Sequence, residues 1–348
     1  MDVNDSIQPV QATVSIVIPV HNGGERFRQC LASLEQWAAL AQEIIIVVDG
    51  GTDQSWQWAK ASGAKVLRFP SAGGPARARN AGAQMASGDI LFFMDADVTL
   101  HTDTLQQIVD IFGKQPNLAA LIGSYDDAPG ESNFLSQYKN LFHHYTHQLA
   151  HEEASTFWGA CGAIRRSIFL EIGGFDERFR YPSVEDIELG YRLKRAGHQI
   201  QLCKTVQVKH LKRWEPLSLL KAEFFYRALP WSELIWRDRQ FVNDLNLKTS
   251  SRISLILAYS ILVTFAFGLL WPSVFSVTLA FTLAFLCING SVYQFFYQQR
   301  GFLFALCVIP WHWLYFIYGG LAFAMGTVRY HWFSRMGNTA HLPTIARL

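Results

Sequence analysis

The chain has 348 residues, of which 50% are hydrophobic and 17% are charged, whereas soluble domains typically carry about 25% charged residues. Residues 251–348 contain five arginines but no lysine, aspartate or glutamate, so they contribute +5 to a net charge of +2 and leave −3 for residues 1–250. These values exclude a single soluble domain, an intrinsically disordered chain and a basic nucleic-acid binder in residues 1–250.

The N-terminus and the cysteines indicate a cytosolic setting. Residues 1–13 form a polar tail with acidic residues, and we expect no signal peptide there. The five cysteines are scattered and form no Cys-x-x-Cys pair, which argues against a disulfide scaffold or a structural zinc site.

Four short apolar segments alternate with helical stretches from residue 14 onward. They cover residues 14–20, 43–49, 65–69 and 89–94. This alternation predicts an α/β domain over residues 14–215 with a mostly parallel sheet, which binds its ligands beyond the carboxyl ends of the strands.

Acidic clusters follow two of these strands, and a third cluster lies further along the chain. They are Asp49-Gly-Gly-Thr-Asp53, Asp95-Ala-Asp97 and Glu185-Asp186. Two carboxylates one residue apart project the same way from an extended chain, which suits a hard divalent cation. Alone, Asp-x-Asp is more often a turn or a cap, but its place directly after a buried strand favours a metal site.

The order of these motifs resembles the family-2 glycosyltransferases of the GT-A fold. The resemblance covers about residues 14–215 and is carried by Val-Ser-Ile-Val-Ile-Pro-Val-His-Asn at 14–22, Val-Val-Asp-Gly-Gly-Thr-Asp at 47–53, Gly-Pro-Ala-Arg-Ala-Arg-Asn-Ala-Gly at 74–82, Asp-Ala-Asp at 95–97, Gly-Gly-Phe-Asp-Glu at 173–177 and Glu-Asp at 185–186. It implies a Rossmann-like catalytic domain that uses a nucleotide-sugar donor.

The resemblance also implies roles for individual residues. It assigns the catalytic base to Asp186 with Glu185, the nucleotide base to Asp49, and the ribose or metal to Asp95. The full expected sets are Pro19, Asn22, Asp49, Asp53, Arg77, Arg79 and Asp95 for the donor, Asp95, Asp97 and His210 for Mg²⁺ or Mn²⁺, and Trp158, Arg213 and Trp214 on the acceptor side.

The expected chemistry explains these residue types. Displacing a nucleoside diphosphate builds negative charge on the leaving phosphate, which a divalent metal and a nearby arginine stabilise. Arg77 and Arg79 lie in a Gly/Ala-rich loop that can approach a diphosphate, although a solvated helix face is the alternative. One carboxylate that deprotonates the acceptor implies direct attack and inversion. Alternatively, Asp186 only caps the helix that follows it.

His210, the motif that begins with it and Trp158 each have more than one possible role. His210 ends the strand-like segment 205–210 and either binds metal or caps the strand. It also begins His-Leu-Lys-Arg-Trp, which resembles the Gln-x-x-Arg-Trp of processive polysaccharide synthases with His in place of Gln. Arg213 and Trp214 are expected at the acceptor entrance. Trp158 forms either the floor under a sugar or ordinary core.

The rest of the chain has the composition of a membrane region. Residues 216–250 alternate large apolar residues with charges and predict one or two amphipathic helices, broken at Pro230, that lie in the headgroup layer or dock on the soluble domain. Uncharged runs at 253–271, 272–289 and 301–326 are each near the ~20 residues a crossing needs. They predict two to three transmembrane helices over 251–328 and a basic tail over 329–348. Three crossings would place that tail outside, against the positive-inside tendency, and a re-entrant third run would keep it inside.

Together these features predict a multi-pass membrane protein with a cytosolic catalytic domain. Its expected activity is metal-dependent, inverting transfer of a sugar from a UDP-, GDP- or dTDP-sugar to a hydroxyl of a lipid or membrane-held acceptor, with no nucleic-acid partner. The alternatives are a polyprenyl-phosphate glycosyltransferase, a processive polysaccharide synthase and an inactive sugar- or lipid-binding membrane protein.

Overall fold

The computed structural model describes residues 12–37, 40–239 and 248–335. Most of the predicted N-terminal tail, the end of the amphipathic segment and most of the basic tail lie outside the described residues.

An eight-stranded mixed sheet forms the centre of the first of two compact units, which comprises residues 1–124 and 152–212. The strand order is β3-β2-β1-β4-β7-β6-β8-β5. The neighbours β3, β2, β1 and β4 pair in parallel, whereas β7 is antiparallel to β4 and β6, and β5 is antiparallel to β8. The strands are β1 Val14–Val20, β2 Glu43–Asp49, β3 Lys65–Phe69, β4 Ile90–Met94, β5 Val98–Leu100, β6 Ala120–Tyr125, β7 Cys161–Arg165 and β8 Ile200–His210.

The parallel half follows from the sequence pattern. β1 and β4 are apolar runs with nearly every residue buried, as expected for strands covered on both faces. The carboxyl ends of β2 and β4 lie at the same edge of the sheet, so Asp49 and Asp95 are brought to that edge. The helices of this unit are α1 Gly24–Leu34, α2 Ser55–Ala61, α3 Pro75–Met85, α4 Thr104–Lys114, α6 Arg166–Glu171 and α7 Glu185–Arg195.

The second unit comprises residues 125–151 and 213–348, so a segment from within the predicted catalytic region groups with the C-terminal region. Tyr138, Leu141 and Phe142 of its first helix pack in one apolar cluster with residues near Phe296 and Val308. Its helices are α5 Phe134–Gln148, α8 Pro216–Lys221, a π-helix Ala222–Ala228, α9 Leu229–Asp238, α10 Thr249–Gly268, α11 Phe275–Ile288, α12 Gly290–Arg300 and α13 Phe302–Arg335.

Two of these helices, α10 and α13, are long and apolar enough to cross a membrane, and the number rises to three if residues 272–300 form one broken span. α11 and α12 meet there at an angle of 61°. Two details differ from the sequence expectation. Pro230 does not break the amphipathic segment, because it occupies the first turn of α9, where no backbone N–H is needed. α13 continues through Pro310 as one helix.

Candidate active site

A buried arginine links the acidic turn after β4 to the start of α7. Arg79 on α3 donates from one terminal nitrogen to the Asp95 carboxylate at 2.7 Å and from the other to the Glu185 carboxylate at 2.9 Å. Arg79 and Glu185 are each 4% exposed. Such charge-assisted hydrogen bonds hold both carboxylates in fixed orientations.

The backbone around Arg79 is shaped to admit its side chain. A Cβ atom on Gly159 would lie 2.9 Å from the guanidinium carbon, so a larger residue there would require the Arg79 side chain to shift. The family resemblance implies a place for Arg79 at the donor diphosphate, but its two terminal nitrogens already contact carboxylates. These contacts favour a positioning role.

Asp186 lies at the first turn of α7, next to the residue that Arg79 holds. One of its oxygens accepts a hydrogen bond from the Gly159 N–H at 3.0 Å, and the other accepts one from the N–H of Ile187. Burial and the neighbouring Glu185 charge raise the pKa of Asp186 to about 6, against the lowering effect of these bonds and of Arg79. A carboxylate with this pKa accepts protons better near neutral pH than an ordinary aspartate.

Asp97 and His210 face each other across two paired strands. β5 and β8 pair so that Val98 is opposite His210, and the Leu211 N–H donates to the Asp97 carbonyl. The His210 Nε2 lies 3.8 Å from an Asp97 oxygen, and 27% of the Asp97 side chain is exposed. An oxygen and an imidazole nitrogen at this separation suit Mn²⁺ or Mg²⁺. Asp95, the third predicted ligand, is turned towards Arg79, and the described residues include no preassembled cluster of three ligand side chains.

The acidic turn after β2 is held by backbone donors. The buried Asp49 carboxylate accepts bonds from the N–H groups of Gly73 and Gly74 at 2.9 and 2.7 Å. Gly74 has φ +100°, and a Cβ atom there would lie 2.5 Å from the Arg180 carbonyl oxygen, so this approach requires glycine. Asp49 therefore ties the end of β2 to the loop before α3.

The neighbouring predicted donor residues shape the same edge. Asn22, at φ +50°, accepts a bond from the Thr52 N–H, and Asp53 accepts bonds from the Gly24 N–H and the Ser55 hydroxyl. Pro19 lies in β1 opposite Val47. The Arg77 guanidinium lies 3.9 Å from the centre of the Phe69 ring.

The predicted acceptor-side residues fall in different units. Trp158 is half-buried and directly precedes Gly159, whose N–H contacts Asp186. Arg213 and Trp214 belong to the second unit, where Arg213 pairs with Glu215. Trp214 is buried beside Leu135 and Leu219.

Several backbone donors at the site were not predicted from the sequence. The N–H groups of Gly73, Gly74 and Gly159 donate hydrogen bonds to Asp49 and Asp186. Such donors belong to the main chain, so no side chain in the sequence identifies them. Their one sequence signal is that each is a glycine beside a predicted functional residue or motif.

Comparison with known proteins places residues 15–173 in a glycosyltransferase sequence family. The sequence model described as "Glycosyl transferase family 2" matches residues 15–173. The chain is 28% identical over 228 residues to the pre-mycofactocin glycosyltransferase of Mycobacterium tuberculosis, a match that covers 63% of this chain and 47% of that protein. It is 23% identical over 241 residues to the O-antigen chain rhamnosyltransferase RfbN of Salmonella typhimurium, covering 63% and 74% of the two chains. The chain thus spans about half the length of the mycobacterial relative.

Among solved structures, the mannosyltransferase PcManGT from Pyrobaculum calidifontis, in complex with GDP-Man and Mn²⁺, matches with a TM-score of 0.59 at 15% identity. The match covers 91% of this chain and 88% of that one. A likeness at this identity shows the fold, and the predicted GT-A fold is confirmed.

Proposed function

The chain is a family-2 glycosyltransferase, and on that basis we propose that it transfers a sugar from a nucleoside-diphosphate donor, with inversion, to a hydroxyl group held at the membrane. The observation that carries this proposal is the placement of Asp186. Its carboxylate is oriented by the Gly159 N–H, and its neighbour Glu185 is held by Arg79.

Asp186 acts as the general base. An alcohol keeps its proton until the transition state, and a positioned carboxylate that accepts this proton contributes typically ~10²–10⁴-fold. Asp186 takes the proton as the acceptor oxygen attacks the anomeric carbon, and the bond from that carbon to the leaving diphosphate oxygen breaks. Attack from the face opposite the leaving group inverts the configuration.

Arg79 keeps the two halves of the reaction centre together. Its guanidinium contacts Asp95 on the donor side and Glu185 beside the base. Because a buried arginine with two carboxylate partners has little freedom to move, the base keeps its place relative to the turn after β4.

Asp97 and His210 would hold the divalent cation, Mg²⁺ or Mn²⁺, at the same edge. Their 3.8 Å separation supports this, and the mannosyltransferase of the same fold contains Mn²⁺. When bound, such a cation supplies positive charge to the leaving diphosphate. The loop that Gly73 and Gly74 form around Asp49 supports a place for the nucleotide at the end of β2.

The membrane-held acceptor is supported by the second unit. α10 and α13 are each long and apolar enough to cross a bilayer, and α8 and α9 carry both large apolar and charged residues. These helices would anchor the chain in lipid, and the matched rhamnosyltransferase acts, by its name, on an O-antigen chain.

The test is a panel of UDP-, GDP- and dTDP-sugars offered to the purified full chain with Mn²⁺ and membrane lipids, with the anomeric form of the product read by NMR. Asp97→Asn should lower the rate about a thousandfold or more, because it weakens stabilisation of the leaving group. Asp110→Asn, an exposed aspartate on α4, is the matched control and should leave the rate unchanged. Absence of hydrolysis and transfer with every donor would support an inactive binding protein instead.

A second experiment separates hydroxyl acceptors from polyprenyl phosphate. A phosphate monoester is already anionic at neutral pH and needs no base. Asp186→Asn should therefore abolish transfer to lipid hydroxyls selectively. Efficient transfer to polyprenyl phosphate that Asp186→Asn leaves unchanged would overturn the assignment of the acceptor.

A further inference from the structure

We propose that α13 lies along the membrane surface rather than crossing the bilayer, so that the hairpin of α10 and α11 is the segment that enters the hydrocarbon. The far end of α13 then stays on the same side of the bilayer as α5 and α8. The proposal concerns how the second unit contacts lipid and does not depend on the reaction proposed above.

The first observation is that the charged segment from α8 to α9 runs beside α13 in the same direction. Trp311 packs against the apolar cluster that includes Leu219, the Tyr318 hydroxyl lies 3.5 Å from a Glu223 oxygen, and the Arg329 guanidinium lies 2.9 Å from Glu233. Further contacts, between Ser232 and Gly326 and between Trp236 and Thr327, lie at the same end of α13 as the Arg329 contact. The shared length from residue 311 to 329 is about 27 Å of helix.

The second observation is that the α8-to-α9 segment cannot lie in hydrocarbon. Lys221 is exposed, and 46% of the Arg227 side chain is exposed. A lysine or arginine in the middle of a crossing helix strongly opposes insertion into the bilayer. These cations instead suit the lipid phosphates of the headgroup layer. Because α13 contacts this segment over most of the thickness of a bilayer core, the two must lie at the same depth.

The third observation is a stripe of exposed apolar residues along one face of α13. Its members recur at helical spacing, so that residues 303 and 321 are five turns apart on the same face. Between them, Trp313 and Ile317 pack against α10, and the Tyr259 hydroxyl donates to the Ile317 carbonyl. The stripe consists of Leu303, Leu306, Leu321, Met325, Val328 and Trp332.

The hairpin and the stripe therefore meet the same lipid phase. Beyond its contact with α13, α10 is exposed at residues such as Val263, Phe265 and Phe267, and α11 is exposed at Leu279. These residues project from the protein as a hairpin, which carries no charged side chain from residue 253 to residue 288. A hairpin that enters the bilayer from the stripe face places the stripe against the membrane surface.

The same arrangement accounts for the apolar character of α13. In its first half, other residues of α13 pack against protein, including Tyr138 and Phe142 of α5. A helix covered by protein on some faces and by lipid on another has the composition of a transmembrane span without crossing. Arg329 and Arg335 then remain on the side that carries α5 and α8, in line with the positive-inside tendency.

The test measures depth and side in the full chain. With Cys287 and Cys307, which are exposed, replaced by serine, single spin-labelled cysteines at Leu303, Leu321 and Val328 are reconstituted in nanodiscs. Accessibility to oxygen and to a nickel chelate should report the same shallow depth at all three positions. Val263→Cys on α10 is the control and should be deeper, whereas Asp110→Cys should be in water.

A reporter fused after residue 348 provides the second readout. It remains informative even where a cysteine variant does not fold. No helix before α10 in the described part of the chain is long and apolar enough to cross, so a tag before residue 1 reports the side of α5. We expect both tags on one side. A depth profile that is deepest in the middle of α13, or tags on opposite sides, would overturn the proposal.

Discussion

At the residue scale, Asp186 links pH to both activity and stability. Because burial and Glu185 raise its pKa to about 6, the carboxyl is protonated and inactive as a base below that pH. We expect transfer to rise as the pH increases through about 6.

The folded protein also binds the proton of Asp186 more tightly than the unfolded chain does. The free energy of unfolding of the wild type, relative to Asp186→Asn, should therefore fall as the pH rises from about 4 to 6. Rate profiles and thermal unfolding of the two proteins measure this; a flat difference in stability would contradict the raised pKa.

Arg79 makes a second prediction at this scale. Its charge lowers the pKa of Asp186, so Arg79→Lys, which cannot reach both Asp95 and Glu185 with a fork of two nitrogens, should move the acid limb of the rate profile to higher pH. A fall of roughly 10–100-fold in kcat is expected, because the base loses its fixed position. Arg77→Lys is the matched control on the same helix and should leave the acid limb in place. A lower rate with an unmoved pH profile would contradict the link between Arg79 and the base.

At the element scale, a buried ion pair joins α5 to the π-helix of the second unit. The Lys139 ammonium lies 2.8 Å from Glu223, whose side chain is 7% exposed. Glu223→Gln leaves a buried lysine without its partner and should destabilise the protein by about 3–5 kcal/mol. Arg227→Gln removes the more exposed partner of Glu223 and should cost at most about 1 kcal/mol. Thermal unfolding in detergent measures both, and the double change Lys139→Met with Glu223→Leu should recover most of the loss. Equal effects of the two single changes would show that the pair is not coupled.

At the scale of the whole molecule, the two units interleave along the chain, and this limits how it can be shortened. A chain ending at residue 246 keeps α5 but removes Phe296 and Val308, so the apolar face of α5 is exposed. We expect this shortened chain to be recovered only in detergent, since each large apolar side chain loses about 1.5–3 kcal/mol of burial. Replacing Leu141 and Phe142 by glutamine should restore its solubility and should destabilise the full chain. A shortened chain that is soluble without these changes would contradict the role of α5 as part of the second unit.

Much of the fold could be predicted from the sequence for a local reason. Strands β1, β2 and β4 are continuous apolar runs, and in two of them an acidic residue marks the carboxyl end, so strand type and the edge that carries the chemistry follow from neighbouring residues. The match of residues 15–173 to the family-2 model follows the order of the motifs along the chain, and the GT-A fold is confirmed.

Only the tertiary structure decided which groups these residues meet. Arg79 contacts Glu185 although 106 positions separate them, and Asp97 faces His210 because β5 pairs with β8. Residues 125–151 group with the C-terminal helices because packing depends on proximity in the folded chain and not on proximity in the sequence. The apolar composition of α13 shows the same limit. Hydropathy indicates that side chains are removed from water, but only tertiary contacts determine whether protein or lipid surrounds them.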